Sequence, residues 1–420
     1  MISINTFLFV FLIIYLISSV TDIMIDLVNE RHLQRYGKEI PKGFEGMIDG
    51  EKLGTIIEYS RDNTRLTVVR TVAGKILFLI IILSGILPWF SEVIKEIPYL
   101  FAGLIFFAFP GLLGGLVDLP FNYFHIFRIE EKYGFNTRTL KIWISDLLKA
   151  LVITVILGSL LLTLLLLMVS HAGNTWWIWA WLIFFSFQVL MFILYPTVIA
   201  PIFNKFTPIQ NDELDRSIRE LSAREGINVK GIFQMDAGRR SRHTNAYFSG
   251  LGKSKRIVLY DTLLESHDND EILSVLAHEI GHMKKGHIKK QLTIISVASF
   301  ILFFLASRMI GWNIMYESFG FSTSPIYVGL FLIAVIWEPF GFFLSPLSMA
   351  LSRRYEREAD YHVFRVLKGT EHLIRALKKM ALDNLSNLRP HPLYVRFNYS
   401  HPPILERIKN LEDMVRAEVT

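Results

Sequence analysis

Seven long apolar stretches constrain the fold of this 420-residue chain more than any other feature. A helix needs about 20 mostly apolar residues to cross the hydrocarbon core of a bilayer, and each stretch is about that long. The chain is therefore predicted to be an integral membrane protein, in keeping with 52% hydrophobic and 20% charged residues. The predicted spans are residues 2–20, 71–90, 97–119, 151–170, 176–202, 292–310 and 326–351.

Lys and Arg residues are concentrated in alternate loops. Of the 44 in the chain, 41 fall within residues 31–70, 128–149, 205–290 and 353–416, which would all lie on one side of the membrane. The positive-inside rule places that side in the cytosol and the N-terminus outside. This distribution also accounts for the net charge of +6 without a nucleic-acid partner, so none is predicted.

A metal-binding motif follows the fifth span. The chain has no Cys, so a bound metal must use His and carboxylate ligands. Residues 278–282 read His-Glu-Ile-Gly-His, and apolar residues around them recur at helical steps. On a helix, His278 and His282 share a face and can bind one Zn²⁺, while Glu279 can take a proton from an activated water.

The remaining ligand must come from another segment, since such zinc sites often use two His and one Glu. We expect the motif helix to continue toward the sixth span, which would put His287 on the face opposite His278; His287 is rejected as a ligand. Glu356 and Asp360 lie one turn apart after the seventh span, so one can bind metal while the other orients a ligand His. Glu358 is expected to point elsewhere. Taken alone, this segment is also typical of a solvated helix surface.

Two polar segments, 203–290 and 352–420, are each too short for an independent catalytic domain and are expected to pack together. In the first, residues 245–248 and 256–260 flank a turn at 250–254 and predict a short hairpin. The chain is thus divided into spans one to five (1–203), a first protease part (204–290), spans six and seven (291–351) and a second protease part (352–420).

Nearly the whole chain resembles the type 1 CaaX prenyl proteases, which are seven-span integral membrane zinc endopeptidases. The matching segments, in order, are 119–121, 129–136, 203–208, 245–248, 278–287, 356–360, 399–403 and 406–407. The resemblance implies a mainly α fold. Seven transmembrane helices would form a ring around a large chamber, closed by a small gluzincin-like zinc metalloprotease domain that contains the short β-hairpin.

The resemblance also implies roles for individual residues. It makes His278, His282 and Glu356 the ligands of one Zn²⁺ per chain, and Glu279 the general base. It places Asn245, Ala246 and Tyr247 on an edge strand that binds the peptide, and it has His401 and Arg407 hold the scissile carbonyl and its developing oxyanion. From the residues alone, His401 before two prolines could equally be a turn residue. Asp360 is the expected partner of a ligand His.

Three functions remain open at this point. The favoured one is a membrane zinc endopeptidase that trims peptides or proteins with a prenyl group. The others are a quality-control protease without prenyl specificity, and a transporter or non-catalytic scaffold for lipidated clients. We expect a monomer in contact with membrane lipids. The short loop between spans six and seven, and a C-terminus soon after Arg407, favour a bacterial inner membrane over the endoplasmic reticulum.

Two further features have competing explanations. Glu338 inside span seven could line the chamber or make a helix–helix hydrogen bond. The cluster of Arg239, Arg240, Arg242 and His243 is interpreted as a lipid-facing basic patch.

Overall fold

The computed structural model describes residues 5–249 and 255–419. The described part is 77% helical, and seven of its helices are long and apolar enough to cross a membrane. A small four-stranded sheet lies in the protease part. The predicted fold class is confirmed.

The first half of the chain is helical and includes two π-helical turns and a short 3₁₀ turn, Gly173–Thr175. The helices are α1 (Thr6–Tyr36), α2 (Gly50–Leu83), α3 (Ile86–Val93), α4 (Tyr99–Phe124) with the π-helical turn His125–Glu130, α5 (Leu140–His171), α6 (Trp176–Leu194) with the π-helical turn Tyr195–Ile199, and α7 (Ala200–Phe203).

The membrane helices extend beyond the apolar stretches that predicted them. α1 continues to Tyr36, and α2 begins at Gly50, well before the apolar stretch at residue 71. Polar residues propagate a helix as well as many apolar ones do, so hydropathy locates the membrane part and not the helix ends. The second predicted span is wrong at its C-terminal end: α2 stops at Leu83, and Gly85, with φ of 80°, leads into α3.

The first protease part combines short strands with helices. Its elements are β1 (Phe206–Pro208), α8 (Asp212–Arg224), β2 (Val229–Met235), a 3₁₀ turn Ala237–Arg239, β3 (Ala246–Ser249), β4 (Lys255–Tyr260), α9 (Asp261–Ser266) and α10 (Asn269–Lys284).

The strands form one mixed sheet in the order β1-β2-β4-β3. β3 and β4 pair antiparallel, with Ala246 opposite Leu259, which confirms the predicted hairpin. Its predicted turn, 250–254, lies outside the described residues. The sequence did not predict that β2 runs parallel to β4 or that β1 pairs antiparallel with β2. In this order β3 is an edge strand.

The last third of the chain contains two more membrane helices and then the second protease part. It comprises α11 (His287–Met309), α12 (Asn313–Ser318), α13 (Ile326–Leu367), α14 (Glu371–Asp383), α15 (Pro392–Asn398) and α16 (Ile404–Val419). α13 is one helix of 42 residues despite Pro339 and Pro346, and it extends from the seventh span into the protease part.

The two polar segments share one hydrophobic core. Leu276 and Ile280 of α10 pack with Val363 of α13, Leu377 of α14 and Leu411 of α16. A separate core joins the membrane helices near α12. The joint protease core is what holds residues on α10 and α13 in a fixed relation.

The membrane helices pack sparsely. In the most apolar 18-residue stretches of α2 and α5, 11% of the residues are buried within the protein. In that of the helical segment Gly173–Phe203, 0% are buried. Low burial is expected of helices that face lipid, and also of helices that stand around an open space, as the resemblance implies. Within this region the Lys75 Nζ of α2 lies 2.8 Å from the Glu338 Oε1 of α13. Glu338 therefore makes a helix–helix contact through an ion pair.

Candidate active site

The close approach of α10 and α13 builds the site. α10 begins with a capping box, in which Asp268 and Glu271 each accept a backbone N–H of the other. Gly281 faces α13, where an added Cβ would come within 2.9 Å of the His362 Cβ and 3.0 Å of the Ala359 Cα. Only glycine permits this spacing, which brings the two helices close enough for their side chains to share a metal.

His278, His282 and Glu356 converge on one point. The two Nε2 atoms of His278 and His282 are 3.2 Å apart, and they lie 3.2 and 3.3 Å from the Glu356 carboxylate oxygens. Zn–N and Zn–O bonds of about 2.0–2.1 Å in a tetrahedron put ligand atoms about 3.3 Å apart. The Glu356 Oε2 atom is also buried and makes no well-formed hydrogen bond. The donor set and spacing fit a metal ion of the zinc type.

Asp360 contacts the Nδ1 side of the His278 ring, and Arg407 in turn binds Asp360. The Asp360 Oδ1 lies 2.8 Å from the His278 Nδ1, and Arg407 donates to both Asp360 oxygens at 2.6 and 3.0 Å. Burial lowers the pKa of His278, but the Asp360 and Glu356 carboxylates outweigh it and raise the pKa to about 9. A metal ion at this position would take the place of that proton.

Glu279 lines a cavity of about 470 Å³ beside these ligands. The cavity also borders Asn245, Ala246 and His401. Burial raises the pKa of Glu279, and the nearby imidazoles of His278 and His282 oppose that shift. A carboxylate made more basic in this way is suited to take up a proton.

The C-terminal site residues lie on two sides of Glu356. The His401 Nε2 is 3.3 Å from the Glu356 Oε1, with 60% of its side chain exposed, so it stands at the cavity mouth. Arg407 is 8% exposed and also borders the cavity. Its Nε and Nη2 atoms bind Asp360, and its Nη1 lies 4.0 Å from the Glu356 Oε2.

The three predicted peptide-binding residues do not all reach the cavity wall. Asn245 and Ala246 border it, at the start of edge strand β3. Tyr247 instead packs against the small core of Met235, Ala237 and Val258. Ala246 and Tyr247 are successive residues of β3, so their side chains point to opposite faces of the sheet, whereas Asn245 precedes the strand.

The predicted position of His287 is wrong. α10 ends at Lys284, Gly286 has φ of 64°, and α11 starts at His287, so the helix does not continue. The break turns His287 back, and its Nδ1 lies 2.9 Å from the Nδ1 of His282. Its Nε2 lies 3.1 Å from the Glu358 Oε2. The glycine two residues after the end of α10 was the signal for this break.

Two of the four residues in the basic cluster before β3, Arg240 and His243, make polar contacts within the protein, whereas Arg239 and Arg242 are exposed. Arg240 forms two hydrogen bonds with Asp146 of α5, at 2.8 and 3.0 Å. The His243 ring is 3.1 Å from the Glu130 Oε2 and 2.9 Å from the Asn384 Oδ1. These residues connect the protease part to the ends of membrane helices.

A seven-helix membrane chain with a His-Glu-x-x-His motif helix and a carboxylate from a neighbouring helix defines an integral membrane metallopeptidase. Residues 29–205 match the CAAX prenyl protease N-terminal family with five membrane helices, and residues 208–415 match Peptidase family M48. The chain belongs to the M48 metallopeptidases and is a metalloendopeptidase.

Curated relatives and a solved structure agree with this assignment. The chain is 33% identical to CAAX prenyl protease 1 homolog of rice, over 89% of this chain and 90% of the relative. It is 34% identical to CAAX prenyl protease 1 of Saccharomyces cerevisiae, over 89% of this chain and 88% of the relative. The crystal structure of S. mikatae Ste24p superposes with a TM-score of 0.89 at 29% identity, covering 98% of this chain and all of that one.

The expectation of a bacterial inner membrane is wrong. The relatives are eukaryotic, from rice, yeast and human among others, and they fit a multi-pass protein of the endoplasmic reticulum membrane. A short loop and an early C-terminus are weak signals of origin, because loop and tail lengths vary freely among proteins with one fold. The multi-pass membrane architecture itself fits.

Proposed function

We propose that this chain is a zinc endopeptidase that acts at the membrane and removes the C-terminal residues of prenylated CaaX proteins. The observation that carries the proposal is the convergence of His278, His282 and Glu356 on one point beside a cavity. The substrate class is supported by the CAAX prenyl protease names of its relatives. All three proposed ligands come from one chain, so a monomer would hold a complete site for one Zn²⁺.

The proposed mechanism divides the chemistry among neighbouring side chains. Zinc, when bound by His278, His282 and Glu356, supplies a Lewis acid that activates water and a peptide carbonyl. Glu279 takes a proton from the attacking water and delivers it to the leaving amine. Asp360 accepts the Nδ1–H of His278 and so keeps the Nε2 lone pair of that ring available. No covalent intermediate on the protein is required.

Substrate binding is proposed to use the edge of the sheet. A peptide that pairs with β3 near Asn245 would be held by main-chain hydrogen bonds, which bind without reading most of the sequence. His401, at the cavity mouth, and the Arg407 guanidinium are placed to donate toward the scissile carbonyl as negative charge develops. Membrane lipids surround the seven helices in this proposal.

Metal analysis and paired peptides test the proposal. The detergent-purified chain should contain one zinc per chain, and a chelator should abolish cleavage of a fluorogenic CaaX peptide until zinc is restored. A farnesylated peptide should be cleaved faster than the same peptide without the lipid. Equal rates for the two would instead identify a quality-control protease without prenyl specificity, and a protein without zinc would refute the metal site.

Glu279→Gln separates metal binding from catalysis. The amide cannot accept the proton from water, so we expect normal zinc content and a loss of peptidase rate of about 10²–10⁴-fold. Glu220→Gln, which removes an exposed carboxylate on α8, is the control and should keep the wild-type rate. A Glu279→Gln protein that cleaves at the wild-type rate would disprove the assigned role.

A further inference from the structure

The second histidine of the motif has a partner of its own. The His282 Nδ1 lies 2.9 Å from the His287 Nδ1, and the His287 Nε2 lies 3.1 Å from the Glu358 Oε2. His287 is only 3% exposed. Its ring stacks on Tyr355 of α13, with centroids 4.2 Å apart and planes 13° apart. The ring is therefore fixed in position between α10, α11 and α13.

These contacts admit one arrangement of protons when the three groups carry their usual charges. An ionised Glu358 can only accept, so the His287 Nε2 carries a hydrogen and donates to it. A neutral His287 then has a bare Nδ1, which must accept from the Nδ1–H of His282. The lone pair of His282 is left on Nε2. That atom faces the Glu356 Oε1 at 3.3 Å and the His278 Nε2 at 3.2 Å.

We propose that His287 and Glu358 are positioning residues that hold His282 in the tautomer and ring orientation that bind the metal. This inference rests on the metal site proposed above. His278 obtains the same support directly from Asp360. His282 obtains it through an intervening imidazole, because its Nδ1 contacts the His287 ring and the other nitrogen of that ring contacts the Glu358 carboxylate on α13. Neither His287 nor Glu358 is one of the proposed ligands, and neither borders the cavity beside them.

The experiment measures zinc affinity of the full chain in detergent. Metal-free protein is titrated with Zn²⁺ in competition with a chromophoric chelator. His287→Phe keeps a ring against Tyr355 but removes the acceptor for His282, and it should weaken zinc binding about 10–100-fold. His287→Asn places an amide oxygen near the original Nδ1 and should recover much of that loss.

His362→Phe is the matched control. His362 is a buried histidine of α13 that packs against Gly281 of α10 and not against a proposed ligand. Its replacement should leave zinc affinity within about threefold of wild type. Thermal melting of the metal-free proteins shows whether each variant is folded.

Several outcomes would overturn the positioning role. The first is that His287→Phe folds and binds zinc within threefold of wild type. The second is that His362→Phe loses as much zinc affinity as His287→Phe does. If His287→Phe does not fold, the Glu358 variants test the inference instead. Glu358→Ala should weaken zinc binding, whereas Glu358→Gln, which keeps an acceptor for His287, should bind zinc more tightly than Glu358→Ala. Equal affinities of those two would contradict the inference.

The measurement also separates this inference from the proposed function. A wild-type chain that binds no zinc refutes both. A wild-type chain that binds zinc but cleaves no peptide refutes the proposed function, while the relative affinities of the variants still decide the role of His287.

Discussion

At the scale of single residues, Asp360 is the side chain on which two others depend. It accepts from His278 and from two nitrogens of Arg407, and both it and Arg407 are buried. Removing one member of a buried ion pair leaves an uncompensated charge, which costs about 3–5 kcal/mol. We expect Asp360→Asn to lower the free energy of unfolding by about that amount and to weaken zinc binding, as measured by denaturant unfolding in detergent and by zinc titration.

An exposed ion pair provides the control for that prediction. Asp215 and Arg219 lie one turn apart on α8, with contacts of 2.6 and 3.1 Å, and Arg219 is half exposed. Such pairs contribute about 0.3–0.5 kcal/mol, so Asp215→Asn should be nearly neutral. Similar losses for both variants would contradict the view that burial makes Asp360 important.

The site residues that belong to a short sequence motif were the easiest to predict. His278, Glu279 and His282 occupy a recognisable spacing on one helix, and the structure brings Glu356 and Asp360 to them as the sequence suggested. Their catalytic roles stay predictions. The contact of His287 was missed because the helical pattern on both sides outweighed Gly286, the residue that signals the break between α10 and α11.

At the scale of elements, the crossing of α10 and α13 depends on a single glycine. A Cβ on Gly281 would meet the Ala359 Cα at 3.0 Å and the His362 Cβ at 2.9 Å, neither of which can rotate away. The alanine would gain about 1 kcal/mol of helix propensity, but overpacking typically costs about 1–3 kcal/mol. We expect Gly281→Ala to show a net loss of stability in denaturant unfolding and weaker zinc binding, because Glu356 would move with α13.

Gly54 of α2 separates this steric effect from helix propensity. It lies inside a helix, and nothing would come within 4 Å of its Cβ. Gly54→Ala should be neutral or stabilising by up to about 1 kcal/mol. If Gly281→Ala were equally harmless, close packing would not be the reason for a glycine in the motif.

Long helices were predictable from hydropathy, whereas the sheet was predictable only in part. The hairpin of β3 and β4 joins neighbouring segments, so its pattern is local. The parallel pairing of β2 with β4, and the three-residue β1, depend on contacts between distant segments. Alternation within one short strand carries no information about its partner.

At the scale of the whole molecule, a polar cluster connects the membrane helices to the protease part. Glu130, in the π-helical turn after α4, contacts His243 at 3.1 Å and accepts from Tyr59 of α2 at 2.6 Å. His243 also contacts Asn384 beyond α14, and it lies two residues before Asn245 at the cavity. The sequence predicted the separate parts but not this connection, whose contacts join residues 71 to 141 positions apart.

The connection should make stability depend on pH. Burial lowers the pKa of His243, but hydrogen bonds with Glu130 and Asn384 and the charge of Glu130 outweigh it, so the pKa in the folded protein is raised. A raised pKa means that the folded state binds the proton more tightly than the unfolded state does. This contribution is fully present below the unfolded pKa of about 6.5 and disappears as pH rises through the folded pKa.

A double-mutant cycle measures that contribution. The difference in unfolding free energy between wild type and His243→Ala should be largest below about pH 6.5 and should shrink as the pH rises above it. In a Glu130→Gln background the same difference should vary much less with pH, because the charge that holds the proton is gone. A difference that is flat in the wild-type background, or equally steep in both, would show that this ion pair does not stabilise the joint between the membrane helices and the protease part.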